Sequence, residues 1–199
     1  MAKAFSETEK ETISRRLKEI AASCLMGAGI RKTSVEDIAA EAGISKGGFY
    51  LFYRSKEELF FDVINDYHKK VEKTLVSQLS GMNEITAPQL TEILFSAFKE
   101  VSSSFFPKFL AGGELEYLMR KLPPEVVANH QEGDAEFFSQ VFGVLPHLGE
   151  SACRTYSAAL RAVFLLLLHK REIGEADFDG VLRLLLSGVV RNMLSGGEQ

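Results

Sequence analysis

Four histidines and two cysteines are the side chains best suited to metal or nucleophilic chemistry, and their spacing serves neither. His68, His130, His147 and His169 are scattered, without the four-residue separation that puts two ligands on one helix face. Cys24 and Cys153 have no histidine near them in sequence and no paired spacing, so no disulfide framework is expected and a reducing cytoplasm fits. No Gly-x-Ser-x-Gly elbow or phosphate-cradling glycine loop occurs. The densest polar cluster, His130, Glu132, Asp134 and Glu136, reads as a solvated helix face or loop rather than a metal site. No catalytic residue, metal or cofactor is therefore assigned, and an enzyme is not expected.

The cations are more informative. The 199-residue chain has a formal net charge of −4, which taken whole argues against nucleic acid. The average hides two unlike parts. Residues 1–56 hold ten Lys/Arg against seven Asp/Glu, whereas residues 57–199 hold thirteen against twenty. From Ala42 to Lys56 there are three cations, Lys46, Arg54 and Lys56, and no acid. A short basic segment at one end of an acidic chain suits an interaction head, although three cations on a solvated face would look the same.

These residues sit on short helices. A hydroxyl followed three places later by an acid or amide marks helix starts at Ser6–Glu9, Thr33–Glu36, Ser55–Glu58 and Thr86–Gln89. Apolar residues then recur at helical spacing: Ile13, Leu17, Ile20 and Cys24, then Val35, Ile38, Ala39 and Ala42, then Leu59, Val63, Tyr67 and Val71. Gly43-Ile44-Ser45 separates two short helices, the arrangement of a helix-turn-helix, whose second helix enters the major groove. In that second helix Phe49 and Tyr53 face inward, leaving Lys46, Gly47, Gly48, Tyr50, Leu51 and Phe52 for the outer face or the helix start. The two glycines cost helix stability, and their use would be close backbone approach to a phosphate. Lys56, just past a cap, is placed to hold another. Pairs of short helices joined by glycine also occur in proteins that bind no DNA.

Further along, helices are expected over 89–106, 114–122, 125–144, 150–171 and 177–194, broken at Pro107, Gly112–Gly113, Pro123–Pro124, Pro146 and Gly149. No stretch alternates with a period of two, so the class is all-α. The longest unbroken apolar run, Ala162–Leu168, is seven residues against the roughly 20 of a membrane span. The last two helices are apolar on more than one face. That suits burial on two sides, either in a dimer or as a deep core helix of a monomer. Eight phenylalanines between Phe95 and Phe142 either line a cavity or pack on one another.

The run from Thr33 to Leu59, TSVEDIAAEAGISKGGFYLFYRSKEEL, resembles the DNA-binding domain of TetR-family transcriptional regulators, over about residues 6–65. The resemblance implies an N-terminal three-helix DNA-binding domain over 1–56, a helix from about 55 to 80 that connects, and a ligand-binding and dimerisation domain over 57–199. It implies a homodimer on a partly palindromic DNA operator, in a bacterial cytoplasm, probed by an inducer that is small and apolar or aromatic. By position the family's DNA contacts fall on Thr33, Ser34, Ser45, Lys46, Gly47, Gly48, Tyr50, Leu51, Phe52 and Lys56. Gly48 departs from a common threonine, and Leu51 has no hydrogen bond to give a base edge, though it suits a thymine methyl. The pocket is expected among Phe95, Phe98, Phe105, Tyr117, Phe138, Phe142 and Phe164, and the dimer interface at Leu160, Leu167, Leu182, Leu186, Val189 and Met193. The alternatives are a DNA-binding regulator without an inducer, its aromatic core closed, or a helical enzyme.

Overall fold

The computed structural model describes residues 5–80, 82, 84–126 and 149–195. Among these every regular element is helical: α1 (Glu7–Met26), α2 (Val35–Ala42), α3 (Lys46–Phe49), α4 (Lys56–Ser80), α5 (Ala87–Ser102), α6 (Phe106–Ala111), α7 (Glu114–Lys121), α8 (Glu150–Leu165), α9 (Lys170–Ile173) and α10 (Phe178–Ser195). A 3₁₀ turn over Leu166–His169 joins α8 to α9. The expected helix over 125–144, with Phe138, Phe142 and the polar cluster at His130, lies mostly or wholly outside the described residues.

Local chemistry explains the starts. Ser6 and Glu9 form a reciprocal capping box, as do Thr86 and Gln89. At α2 the box is shifted by one residue from the expected Thr33–Glu36 pair. Ser34 is the cap and Asp37 its partner, because the Thr33 hydroxyl is already committed, donating to the Gly29 carbonyl at 2.8 Å. Pro107, expected to break the helix before it, does not end α5, which stops at Ser102; it sits in the first turn of α6, where its missing N–H costs nothing.

The described residues form two compact units. One runs through His68 and includes the segment from Lys108; the other holds Lys69–Pro107 and the C-terminal helices. The expected boundary after Lys56 differs on both counts: the first unit takes in more than three turns of α4 and recruits a distant segment. Its core is Leu17, Ile20, Ala21 and Leu25 of α1, Ile38 and Ala39 of α2, Phe49 of α3, and Leu59, Phe60 and Val63 of α4. Phe109, Leu118 and Leu122 are buried from the recruited segment.

In the second unit α10 packs against α5 and α8. Leu182, Leu186, Val190 and Met193, spaced three or four apart, are buried on α10, as are Leu90, Leu94 and Val101 on α5 and Leu167 after α8. Leu167, Leu182, Leu186 and Met193 were expected at a dimer interface and are instead buried within the single chain. Leu160 and Val189 are half-buried. The outward apolar residues are Leu165, 53% exposed, Leu184, 70%, and Leu185, 39%. The helical run Glu150–Ile173 is long and apolar enough by length and composition to cross a membrane, which the longest apolar run in the sequence did not suggest. Only 17% of its apolar window is buried within the chain.

Candidate nucleic-acid interface

The turn between α2 and α3 fixes the recognition segment. Gly43 has φ 75°, and its N–H reaches the carbonyls of Ala39 and Ala40, closing α2 in the left-handed geometry that glycine adopts without strain. Ser45 then caps α3, its Oγ accepting from the Gly48 N–H at 3.0 Å. Regular α3 is only four residues, but backbone bonds from Leu51 to Gly48, Phe52 to Phe49 and Tyr53 to Phe49 carry helical turns onward. Phe49 is fully buried and contacts the rings of Tyr50 and Tyr53.

The ten expected DNA-contact residues separate into two groups. Ser45, Lys46, Gly47, Tyr50 and Leu51 are exposed, Leu51 to 71%. The remainder have internal duties. Thr33 is buried with its hydroxyl bonded to Gly29, which corrects its assignment to a contact surface. Gly48 is buried too. A Cβ there would stand 3.4 Å from Ile44 and the Ser45 hydroxyl, at ordinary contact distance, so this position packs on the turn. Lys56 is half-buried, and its ammonium donates to the carbonyls of Ile30 at 2.8 Å and Thr33 at 2.7 Å. Phe52 is half-buried with its ring 6.0 Å from Phe5. Ser34 is occupied as a cap, donating to Asp37 Oδ2 at 2.6 Å.

Two residues missed by the sequence reading matter here. Glu36, exposed in the first turn of α2, accepts from Lys46 Nζ at 2.5 Å, and each holds the other charged: the hydrogen bond lowers the glutamate pKa and raises that of the lysine. Glu114 of α7 accepts from the Ile30 N–H at 3.1 Å. It does so at Gly29, where a Cβ would stand 2.9 Å from its Oε1 and where φ is 83°. The Glu36 partnership could have been sought at its ten-residue separation across a turn, whereas Glu114 left no local signal.

Two networks brace this scaffold. Lys18 of α1 bridges Asp62 at 2.8 Å and Asp66 at 2.7 Å on α4, and the Tyr53 hydroxyl donates to Asp62. Burial opposes the charge on Lys18, yet the two carboxylates hold its pKa above the ordinary lysine value. Burial first, then Asp62, pushes the Tyr53 phenol up to about 12. On the other side, Lys108 donates to the carbonyls of Met26 and Gly27 that end α1, and Arg31 to that of Gly113 at 2.6 Å. The Tyr117 hydroxyl donates to Glu57 at 2.7 Å, with the Arg31 guanidinium 5.5 Å from its ring centre. Tyr117 thus belongs to the DNA-binding unit, a correction to its place among cavity residues. Phe95, Phe98, Phe105 and Phe164 are in the other unit, Phe98 and Phe164 with ring centres 6.2 Å apart. Beside Leu51 an open groove of about 1040 Å³ runs along α1, lined by Phe5, Lys10, Ser14, Lys18 and Phe52 among others. None of the expected cavity residues lines it.

Residues 19–63, which contain this scaffold, match the family model for bacterial regulatory proteins of the tetR family. The chain belongs to the TetR family. It is 27% identical over 154 residues to the uncharacterized HTH-type transcriptional regulator YdgC of Bacillus subtilis (strain 168), covering 69% of this chain and 79% of that one. It is 36% identical over 63 residues to the HTH-type transcriptional repressor KstR2 of Mycolicibacterium smegmatis, 31% of each chain. Its fold matches that of FadR from Bacillus subtilis, solved in complex with stearoyl-CoA, with TM-score 0.61 and 15% identity over 94% of this chain and 98% of that one. The protein is a TetR-family DNA-binding transcriptional regulator, all-α, with the helix-turn-helix of that family at its N-terminus.

Proposed function

We propose that this TetR-family protein represses transcription as a cytoplasmic homodimer bound to a partly palindromic operator, and that a small apolar molecule releases it. The observation that carries the DNA reading is the outward set Ser45, Lys46, Gly47, Tyr50 and Leu51 on a turn fixed from beneath by Gly43, Gly48 and Phe49. Lys46 supplies charge for a phosphate or guanine, Gly47 lets backbone approach, and Leu51 suits a thymine methyl. Lys56 acts indirectly, tying the start of α4 to the loop before α2.

Dimerisation is supported by the apolar residues that α8 and α10 leave outward, Leu165, Leu184 and Leu185. Two copies would then hold their recognition segments about 34–36 Å apart, one turn of DNA. A ligand is supported by the aromatic residues Phe98 and Phe164 in the second unit and by the acyl thioester that the Bacillus subtilis FadR holds. Release requires that the ligand favour a spacing that DNA does not. A specific contact favours the alternative of a closed core: the Arg183 guanidinium lies 3.9 Å from the centre of the Phe95 ring, covering one face.

The test is binding of the full chain to duplexes recovered from a random pool, followed by anisotropy across about 50–200 mM salt. Affinity should fall linearly in log–log form, and Tyr50→Ala should weaken binding while leaving the dimer intact. Stearoyl-CoA added to the complex should release the DNA. Release with no effect of Tyr50→Ala would move the interface elsewhere; retention of DNA at saturating ligand would favour the closed core.

A further inference from the structure

The one-residue shift of the α2 cap leaves Glu36 without a capping role. Ser34 and Asp37 complete the box, and the Glu36 carboxylate turns to the first residue of α3. Both members of the Glu36–Lys46 pair are exposed, their side chains 59% and 54% accessible, and Lys46 opens the helix whose continuation carries the exposed Tyr50 and Leu51. A carboxylate is a poor neighbour for a polyanion if phosphates are all that this surface meets. A base edge presents different chemistry. In the major groove a G·C pair offers two acceptors, guanine O6 and N7, beside one donor, the cytosine N4 amine. The ammonium of Lys46 has three protons, of which Glu36 takes one. The carboxylate keeps lone pairs to accept another hydrogen bond. Donor and acceptor thus stand side by side at hydrogen-bond separation, as do O6 and N4 across a G·C pair. With adenine in guanine's place the match fails, since the carboxylate then faces thymine O4, an acceptor; with thymine in guanine's place an acceptor and a donor keep their order, but a methyl group replaces the second acceptor, N7.

We propose that Glu36 and Lys46 act together as a reader of one G·C base pair in each half-site, Lys46 donating to guanine and Glu36 accepting from cytosine N4. This rests on the DNA-binding reading above and adds a residue, Glu36, and a base preference. Because the two side chains fix one another, neither has to be ordered from scratch when DNA arrives, and a wrong base leaves a carboxylate facing an acceptor.

The experiment is selection of duplexes from a random pool by the full chain, by Glu36→Gln and by Lys46→Met, with sequencing of the recovered DNA. The native chain should recover one invariant G·C pair per half-site whose preference collapses in both variants. Replacing that pair by A·T, with adenine in guanine's place, should weaken native binding about tenfold and variant binding by less than twofold, in keeping with a single base contact. Matching circular dichroism and unfolding midpoints identify folded variants, and the two substitutions, on different helices, check each other. Glu36→Gln tightening every duplex equally, with an unchanged consensus, would overturn the proposal and make Glu36 only a restraint on Lys46. An unchanged consensus in both variants also overturns it. A native chain that enriches no duplex and binds none in a salt-dependent way would instead remove the DNA-binding reading itself.

Discussion

Single side chains divide between those that meet the outside and those that hold the reading surface in place, and Lys56 shows how the second kind can be mistaken for the first. Its ammonium ties two backbone carbonyls, 23 and 26 residues away, to the first turn of α4. Lys56→Met should therefore cost about 1–3 kcal/mol in urea unfolding while changing the salt slope of DNA binding by less than one. A slope reduced by a full unit with stability intact would make it a phosphate contact. Titration offers a second check. Tyr53, half-buried and bonded to Asp62, and Tyr117, bonded to Glu57 and partly buried, are both raised to about 12. Raised values mean that the folded chain holds these protons where the unfolded chain, near 10, releases them. Stability from both is full below about pH 10 and is lost as pH climbs toward 12. Unfolding midpoints measured from pH 9 to 11 should fall, and less steeply in Tyr53→Phe.

At the scale of helices, the parts legible in the sequence were those settled within one turn. The Ser6–Glu9 and Thr86–Gln89 boxes and the Gly43 turn follow from neighbouring residues alone. At Thr33-Ser34 two hydroxyls compete for one cap, and a carbonyl four residues back, that of Gly29, decides between them. Helical period likewise reveals that α10 is apolar on several sides, but not which stripe meets α5. Leu182, Leu186 and Met193 face inward while Leu184 and Leu185 face out. The bracing by α7 was illegible for a different reason: Glu114 and Ile30 are 84 residues apart. That hydrogen bond predicts that Glu114→Ala speeds exchange of the Ile30 amide and lowers the unfolding midpoint. Unchanged exchange would show that water replaces the carboxylate without loss.

For the molecule as a whole, the outward leucines set a test of assembly. Leu184→Glu combined with Leu185→Glu places charge where apolar surface is exposed, so folding should survive while a dimer, measured by light scattering, becomes a monomer. An unaltered dimer would place the interface on another surface. Chain order and unit membership also part company here, since the DNA-binding unit is completed by residues 40 and more positions beyond its last α4 residue, His68. A practical rule for grafting follows. Regulators of this kind invite recombination, with the reading head of one joined to the sensing body of another at a seam in α4. For this protein such a seam would strip away Lys108, Glu114 and Tyr117, leaving the carbonyls of Met26 and Gly27, the Ile30 amide and the Glu57 carboxylate to a stranger's side chains. A hybrid that carries 108–122 along with the head keeps those partners, and it is the transplant to make.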